Sequence, residues 1–164
     1  MSLQRLGHLL IFLVCAVPLG FGYYLEYEKG LDPCPLCMLQ RLFFLVIGVG
    51  GLIAALHNPK SLGMIRIYSG FLMLLSMMGA AVAGRQVWLQ HLPPDQVPEC
   101  GPGLEYMLEA YPLGETLAKI LKGTGDCAEV DWTLLGLSIA EWALISFILL
   151  AAVSVLQLWK AGSK

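Results

Sequence analysis

Four apolar runs, each long enough to cross the roughly 30 Å hydrocarbon core of a bilayer as a helix, divide this chain of 164 residues. They cover about 6–25, 38–56, 66–88 and 140–159. The first holds no Asp, Glu, Lys or Arg. The second holds one charge, Arg41, near its start. The third is free of charge over 67–84 and continues as helix through Trp88. The fourth has Glu141 at its entrance. Recurring small residues inside the runs (Gly48, Gly50, Gly51, Gly79, Ala80, Ala81) suit close helix contacts. Charged residues are 13% of the chain and hydrophobic residues 57%, whereas soluble proteins carry about 25% charge. A soluble ball of this size could not cover so much apolar surface. Disorder, an ordinary soluble enzyme and a basic nucleic-acid binder are thereby excluded; a formal net charge of −2 leaves no electrostatic footprint for nucleic acid. The expected fold class is an all-α membrane protein, a four-helix transmembrane bundle.

The first run is read as a retained helix rather than a cleaved signal. It is long for a signal sequence and no small-residue cleavage site closes it. Orientation follows from Arg5, Lys60, Arg66, Lys160 and Lys164, which lie before run 1, between runs 2 and 3, and after run 4, with no acidic residue among them. Basic flanks favour the cytoplasm, so both termini and the middle loop are expected inside. The opposite side then holds a short loop and a long, acidic one. The long loop opens with Leu92-Pro93-Pro94-Asp95 and closes around Gly123-Thr124-Gly125-Asp126. Between them Leu104, Met107, Leu108 and Tyr111, then Leu113, Leu117, Ile120 and Leu121, repeat at helical spacing. One or two short amphipathic helices are expected there, lying on the membrane surface or against the ends of the bundle.

Five cysteines punctuate the chain. Cys15 falls mid-span and reads as a small packing residue. Cys34, Cys37, Cys100 and Cys127 all fall on the non-cytoplasmic side, where disulfides persist. Cys34-Pro35-Leu36-Cys37 opens the second run. Pro35 suits the first helical position. That puts Cys37 in the first turn, where free N–H groups and the helix dipole favour a thiolate, the reactive form. Arg41 follows four residues later on the same helix face and adds a fixed positive charge. So tight a pair closes almost no chain, which suits reversible oxidation better than stapling. Cys100 and Cys127 have glycines beside or near them. A static bridge between them would close a loop of about 28 residues and contribute about 3–4 kcal/mol, so a structural staple stays open for that pair. Zinc fits poorly, because structural zinc sites use two close-spaced pairs and only one pair here is close. No metal is expected.

A redox dithiol at a membrane surface needs an electron acceptor, and no haem or nucleotide fingerprint is present. A lipid-soluble quinone accepts two electrons and two protons, as many as a dithiol gives up. It would sit beside Cys37, with Arg41 polarising one of its oxygens. A charge at the edge of a span is usually functional, with snorkelling to the interface as the plain alternative for Arg41. His91, at the outer end of the third run, could donate a hydrogen bond or relay a proton, or be an ordinary loop histidine.

These residues together resemble the disulfide bond formation protein B (DsbB) family of bacterial inner membranes. The likeness spans most of the chain: four runs, Cys34-Pro35-Leu36-Cys37-Met38-Leu39-Gln40-Arg41, the Cys100/Cys127 loop, and Gly125-Asp126-Cys127-Ala128-Glu129 followed by Trp132 and Leu135-Gly136-Leu137. It implies one multi-pass domain over 1–164, with both termini cytoplasmic and periplasmic loops at about 26–37 and 90–137. It implies that a reduced, soluble, DsbA-like thioredoxin-fold protein attacks Cys100, that Cys127 is the loop partner of Cys100, and that electrons pass to Cys34 and Cys37. Cys37 would face ubiquinone or menaquinone, with Arg41 and His91 assisting and Trp132 nearby. Some members carry an acidic residue just before the arginine; here it is Gln40, to which no role is given.

Two rivals share parts of this pattern. Vitamin K epoxide reductase-like enzymes also join a CxxC to a quinone in four helices, but their loop pair precedes the CxxC, and here it follows. A disulfide-stapled or metal-handling membrane protein without turnover is the rival of another class.

Overall fold

Proline and glycine mark where the helices of this chain stop. A computed structural model describes residues 3–101 and 104–162. Pro102 and Gly103, which follow Cys100, and the basic Lys164 lie outside the described residues. Helix α1 is Leu3–Lys29, α2 Pro35–His57, α3 Leu62–Gln90 and α6 Ile139–Gly162. All four are long and apolar enough to span a membrane. Each extends past its apolar run at one or both ends, because polar residues beyond the hydrocarbon continue the helix. The chain is a multi-pass, all-α membrane protein.

Local chemistry explains the boundaries. Cys34 is extended and Pro35 occupies the first helical position of α2. Asn58 ends that helix in the left-handed region (φ 44°), where its N–H reaches the Ala54 carbonyl. Ser138 and Glu141 form a reciprocal cap at the start of α6. Ser138 N–H donates to the Glu141 carboxylate (2.7 Å), and Glu141 N–H donates to Ser138 Oγ (3.2 Å). The charge at the entrance of the fourth run is therefore a helix cap.

The two short connections, 30–34 and 58–61, make successive helices antiparallel. The 91–138 connection and the 30–34 turn thus share one end, called here the cysteine end. At mid-bundle, Phe44 of α2 stacks on Phe147 of α6, with ring centres 4.1 Å apart and planes 9° from parallel. Gly79 of α3 lies under that stack; a Cβ there would come within 2.4 Å of Phe147. A Cβ on Gly51 would likewise meet Ile11 at 2.9 Å and the His8 carbonyl at 3.1 Å. Cys15, fully buried, packs against Gly48. The small residues thus hold the helices at short range, as expected of a membrane bundle. The outer faces stay apolar: Val17, Leu56, Leu74 and Leu149 are each more than half exposed. Hydrocarbon tolerates that; water would not.

A second, smaller core covers the cysteine end. In the long loop α4 (Leu104–Ala110) and α5 (Leu113–Lys122) form where the periodicity put them. The Thr116 hydroxyl joins them by donating to the Met107 carbonyl (2.9 Å). Met107 and Ile120 point inward onto Leu36 and Leu89. Leu113, Leu117 and Leu121 form an exposed row on α5. Arg85 of α3 donates to the Lys122 carbonyl (2.8 Å) and lies over the Trp88 ring, which ties the end of α5 to the bundle. Gly123 (φ +82°) then reverses the chain so close to Leu89 that a Cβ would fall 2.4 Å from its Cδ1. The loop ends in a 3-10 turn, Gly125–Cys127, and a two-residue-per-strand hairpin, β1 Thr133–Leu134 with β2 Leu137–Ser138. That hairpin was not expected. Its turn, Leu135-Gly136, takes positive φ at both residues without the usual Asn-Gly or Asp-Gly signal.

Candidate functional site

Three cysteine sulfurs meet where the long loop folds onto the start of α2. Cys34 Sγ lies 3.2 Å from Cys37 Sγ and is also hydrogen-bonded to Cys127. All three belong to the second core; Cys34 is 9% exposed and Cys127 0%. All five cysteines are free thiols here. Cys34 is thus the sulfur between the other two. Cys100 is exposed and sits over the turn that carries Cys127: Gly125 N–H donates to the Glu99 carbonyl (3.1 Å), and a Cβ on Gly125 would lie 3.1 Å from Cys100 Sγ. The four cysteines singled out in the sequence gather at one end of the molecule, with one sulfur open to solvent and three inside.

Their surroundings make the sulfurs chemically unequal. Cys127 is held down to a pKa of about 6. The hydrogen bond from Cys34 is the largest cause, joined by the amide of Leu36, by Thr124 and against desolvation. Leu36 belongs to the first turn of α2, where N–H groups lack helical partners. The sequence assigned the free amides of this helix start to Cys37; the structure also turns one of them to Cys127. Cys34 is pushed up, first by its hydrogen bond to Cys127 and next by that to Cys37. Cys100 is also raised, chiefly by the Asp126 carboxylate beside it and next by its charge.

Below this cluster a cavity of about 390 Å³ opens among α1, α2, α3 and α6. Its walls are mainly apolar, with Phe21, Phe44, Trp132 and Trp142 among them, and Cys34, Cys37, Arg41 and Gln86 supply polar points. Trp132 packs on Phe21 with ring centres 5.0 Å apart, so it joins this region. Arg41 lines the cavity, but its guanidinium is bound to α1. It pairs with Glu26, donates to the Gly22 carbonyl (3.0 Å) and lies over the Tyr23 ring. His91 is not brought to this cavity. Its Nδ1 lies 2.8 Å from the Val87 carbonyl one turn back, and its neighbours are Gln90, Thr133 and Glu141.

Two residues of the site went unassigned in the sequence. Gln86 of α3 directs Nε2 at Cys37 Sγ (3.1 Å) and Cys34 Sγ (3.4 Å). Gln40 of α2 donates its Nε2 to Gln86 Oε1 (2.7 Å). Both are buried. The available signal was a polar side chain within an apolar helix, which membrane proteins keep for a partner or a reaction.

Comparison with known proteins decides the family. The sequence model for disulfide bond formation protein DsbB matches residues 4–157. The chain belongs to the DsbB family. Disulfide bond formation protein B of Methylococcus capsulatus is 53% identical over 157 residues, covering 96% of this chain and 95% of that one. The protein of the same name from Hahella chejuensis is 56% identical over 150 residues, covering 92% and 90%. That from Azoarcus sp. is 49% identical over 151 residues, covering 92% and 88%. As a DsbB-family member with four spanning helices, the chain is a membrane-embedded, disulfide-forming oxidoreductase.

Proposed function

We propose that this chain reoxidises a soluble, DsbA-like thioredoxin-fold protein of the periplasm and delivers the two electrons to a membrane quinone, ubiquinone or menaquinone. The observation that carries this reading is the sulfur path. An exposed Cys100 lies over Cys127's turn, Cys127 touches Cys34, Cys34 touches Cys37, and Cys37 lines an apolar cavity.

Each step follows from the unequal sulfurs. With Cys100 and Cys127 joined, the partner's thiolate attacks the accessible sulfur, Cys100, and Cys127 leaves. Low thiol pKa makes a good leaving group. The Leu36 amide and Thr124 hold the departing charge even when Cys34 has no proton to donate. The partner's second thiolate then displaces Cys100, leaving the partner oxidised and Cys100 and Cys127 reduced. Cys127 attacks Cys34 of a Cys34–Cys37 disulfide and expels Cys37. Cys100 then attacks Cys127, which restores the loop disulfide and frees Cys34. Two electrons now rest on Cys34 and Cys37, at the cavity wall.

The cavity fits a quinone head group. Its volume lies within the roughly 300–1,000 Å³ of small-molecule sites, and its apolar walls with few polar points match such sites. Cys37, Arg41 and Gln86 would hold the polar edge, and Phe21, Trp132 and Trp142 the ring faces. Quinone, when bound, supplies a two-electron, two-proton acceptor strong enough to draw electrons from an oxidising dithiol protein. Arg41, already neutralised by Glu26, offers N–H donors there without adding net charge.

The test is quinol formation on mixing the chain with reduced DsbA-like protein and quinone. Cys34→Ser and Cys37→Ser are expected to abolish it, at least a hundredfold, while Cys100 still traps the partner as a mixed disulfide. Normal quinone reduction by Cys37→Ser would overturn the role given to Cys37. Zinc release on denaturation with no quinol would favour the metal-handling rival.

A further inference from the structure

The amide pair between α2 and α3 carries an inference that rests on the reading of Cys37 as the reacting thiol. Gln86 Nε2 is 3.1 Å from Cys37 Sγ, while Oε1 of the same amide is 3.5 Å away. One amide can therefore accept from the thiol and donate to the thiolate. Which end faces the sulfur more closely depends on what holds the other end. Gln40 donates to Gln86 Oε1 at 2.7 Å, so that oxygen is engaged and the NH₂ is left for the sulfurs. Gln40 lies three residues from Cys37 in α2, and Gln86 comes from the facing helix. Both are buried, at 4% and 3% exposure, beside a mainly apolar cavity.

We propose that Gln86 is a catalytic residue, the hydrogen-bond donor that holds negative charge on Cys37, and that Gln40 is a positioning residue that fixes its amide end. Gln86 approaches from the α3 side and joins Cys34, whose thiol faces Cys37 from the start of α2 at 3.2 Å. Arg41, the nearest fixed cation on α2, turns donors to Glu26 and Gly22 of α1 and makes no hydrogen bond to Cys37. A hydrogen bond to an ionised group in a low-dielectric site is among the stronger single interactions. The same nitrogen reaches Cys34 Sγ at 3.4 Å, so it faces both sulfurs of the pair as electrons arrive and depart. The plain competitor is a polar clamp between two membrane helices, with no effect on sulfur chemistry.

The two readings separate in the reactivity of Cys37 in the reduced, full-length chain, followed with iodoacetamide and resolved by cysteine in a mass spectrometer. This needs neither quinone nor partner, so failure of the quinone reading and failure of this one are distinguishable. Gln86→Leu is expected to slow Cys37 alkylation at pH 7 about tenfold, the loss expected for a donor to a charged group. The gap from the parent should narrow as the pH is raised toward 9.5, because a lost thiolate donor matters less where more of the thiol is ionised. Cys100 alkylation should be unchanged, and Cys15, fully buried in the bundle, should stay unlabelled, which reports that the chain is folded. Gln40→Leu, which does not remove the donor, should give a partial loss of about threefold. Should Gln86→Leu fail to fold, that second variant still decides. A Cys37 rate at pH 7 within twofold of the parent in the folded variant, or an equal loss at pH 7 and pH 9.5, would overturn the proposal in favour of a clamp.

Discussion

Cys100 and Asp126 show how one carboxylate can set an exposed thiol apart from its neighbours. Cys100 is fully exposed, so solvent alone would leave it an ordinary thiol, yet Asp126 raises its pKa. Cys127, on the turn beneath it, is buried and held down to a pKa of about 6. At neutral pH the negative charge therefore prefers Cys127, as the proposed attack on Cys100 requires. The sign gives a direct check. Removing the carboxylate in Asp126→Asn lowers the Cys100 pKa toward its usual value and enlarges its thiolate fraction at pH 7.5. Cys100 alkylation in the reduced chain is expected to rise about threefold, the scale of an exposed charge pair. An unchanged or slower rate would remove Asp126 from this account. The four cysteines could be picked out from the sequence because thiols are few and their spacing carries chemistry. Gln40 and Gln86 could not be paired, because they lie 46 positions apart. Only the packing of α2 on α3 brings them together.

Helix existence was legible from apolar run length, since lipid leaves a spanning backbone almost no choice but helix. Helix contacts were legible only as a tendency. Gly20 and Gly79 look alike in sequence, both within apolar runs, but nothing lies within 4 Å of a Cβ on Gly20, and Phe147 fills that space at Gly79. Gly79→Ala should therefore push the Phe147 ring off Phe44 and destabilise the folded chain by about 1–3 kcal/mol. Gly20→Ala should be neutral or mildly stabilising, because alanine is the better helix former. Thermal inactivation in detergent compares the two; equal behaviour would mean that the α3–α6 contact is looser than described. The hairpin at 133–138 escaped notice for a different reason. Two residues per strand are too few to show alternation, and its turn relies on positive φ at Leu135. His91 marks the remaining gap between pattern and place. Its position after α3 put it at the right end of the bundle, but its Nδ1 lies against the Val87 carbonyl and it is not among the residues that line the cavity.

At the scale of the whole molecule, the acidic residues and the four site cysteines share one end, and the other end carries only basic charge. All 12 Asp and Glu belong to segments that fold to the cysteine end. Of the basic residues that share that end, Arg41 pairs with Glu26 and Lys119 with Glu115. Arg5, Lys60, Arg66 and Lys160 gather at the other end with no acidic residue near them in the chain. Lys and Arg flanking short connections are what retain a helix end in the cytoplasm. The cysteine end should then face the periplasm, where a soluble dithiol protein can reach Cys100. Single cysteines placed in a chain with its own five replaced by serine test this in intact cells with a membrane-impermeant maleimide. Glu109→Cys, exposed on α4, should label at least tenfold more than Lys60→Cys, exposed between α2 and α3, and permeabilised cells should label both. The reverse pattern would put the sulfur path on the reducing side of the membrane, where the thiols would be kept reduced and the proposed oxidation of a periplasmic partner could not operate.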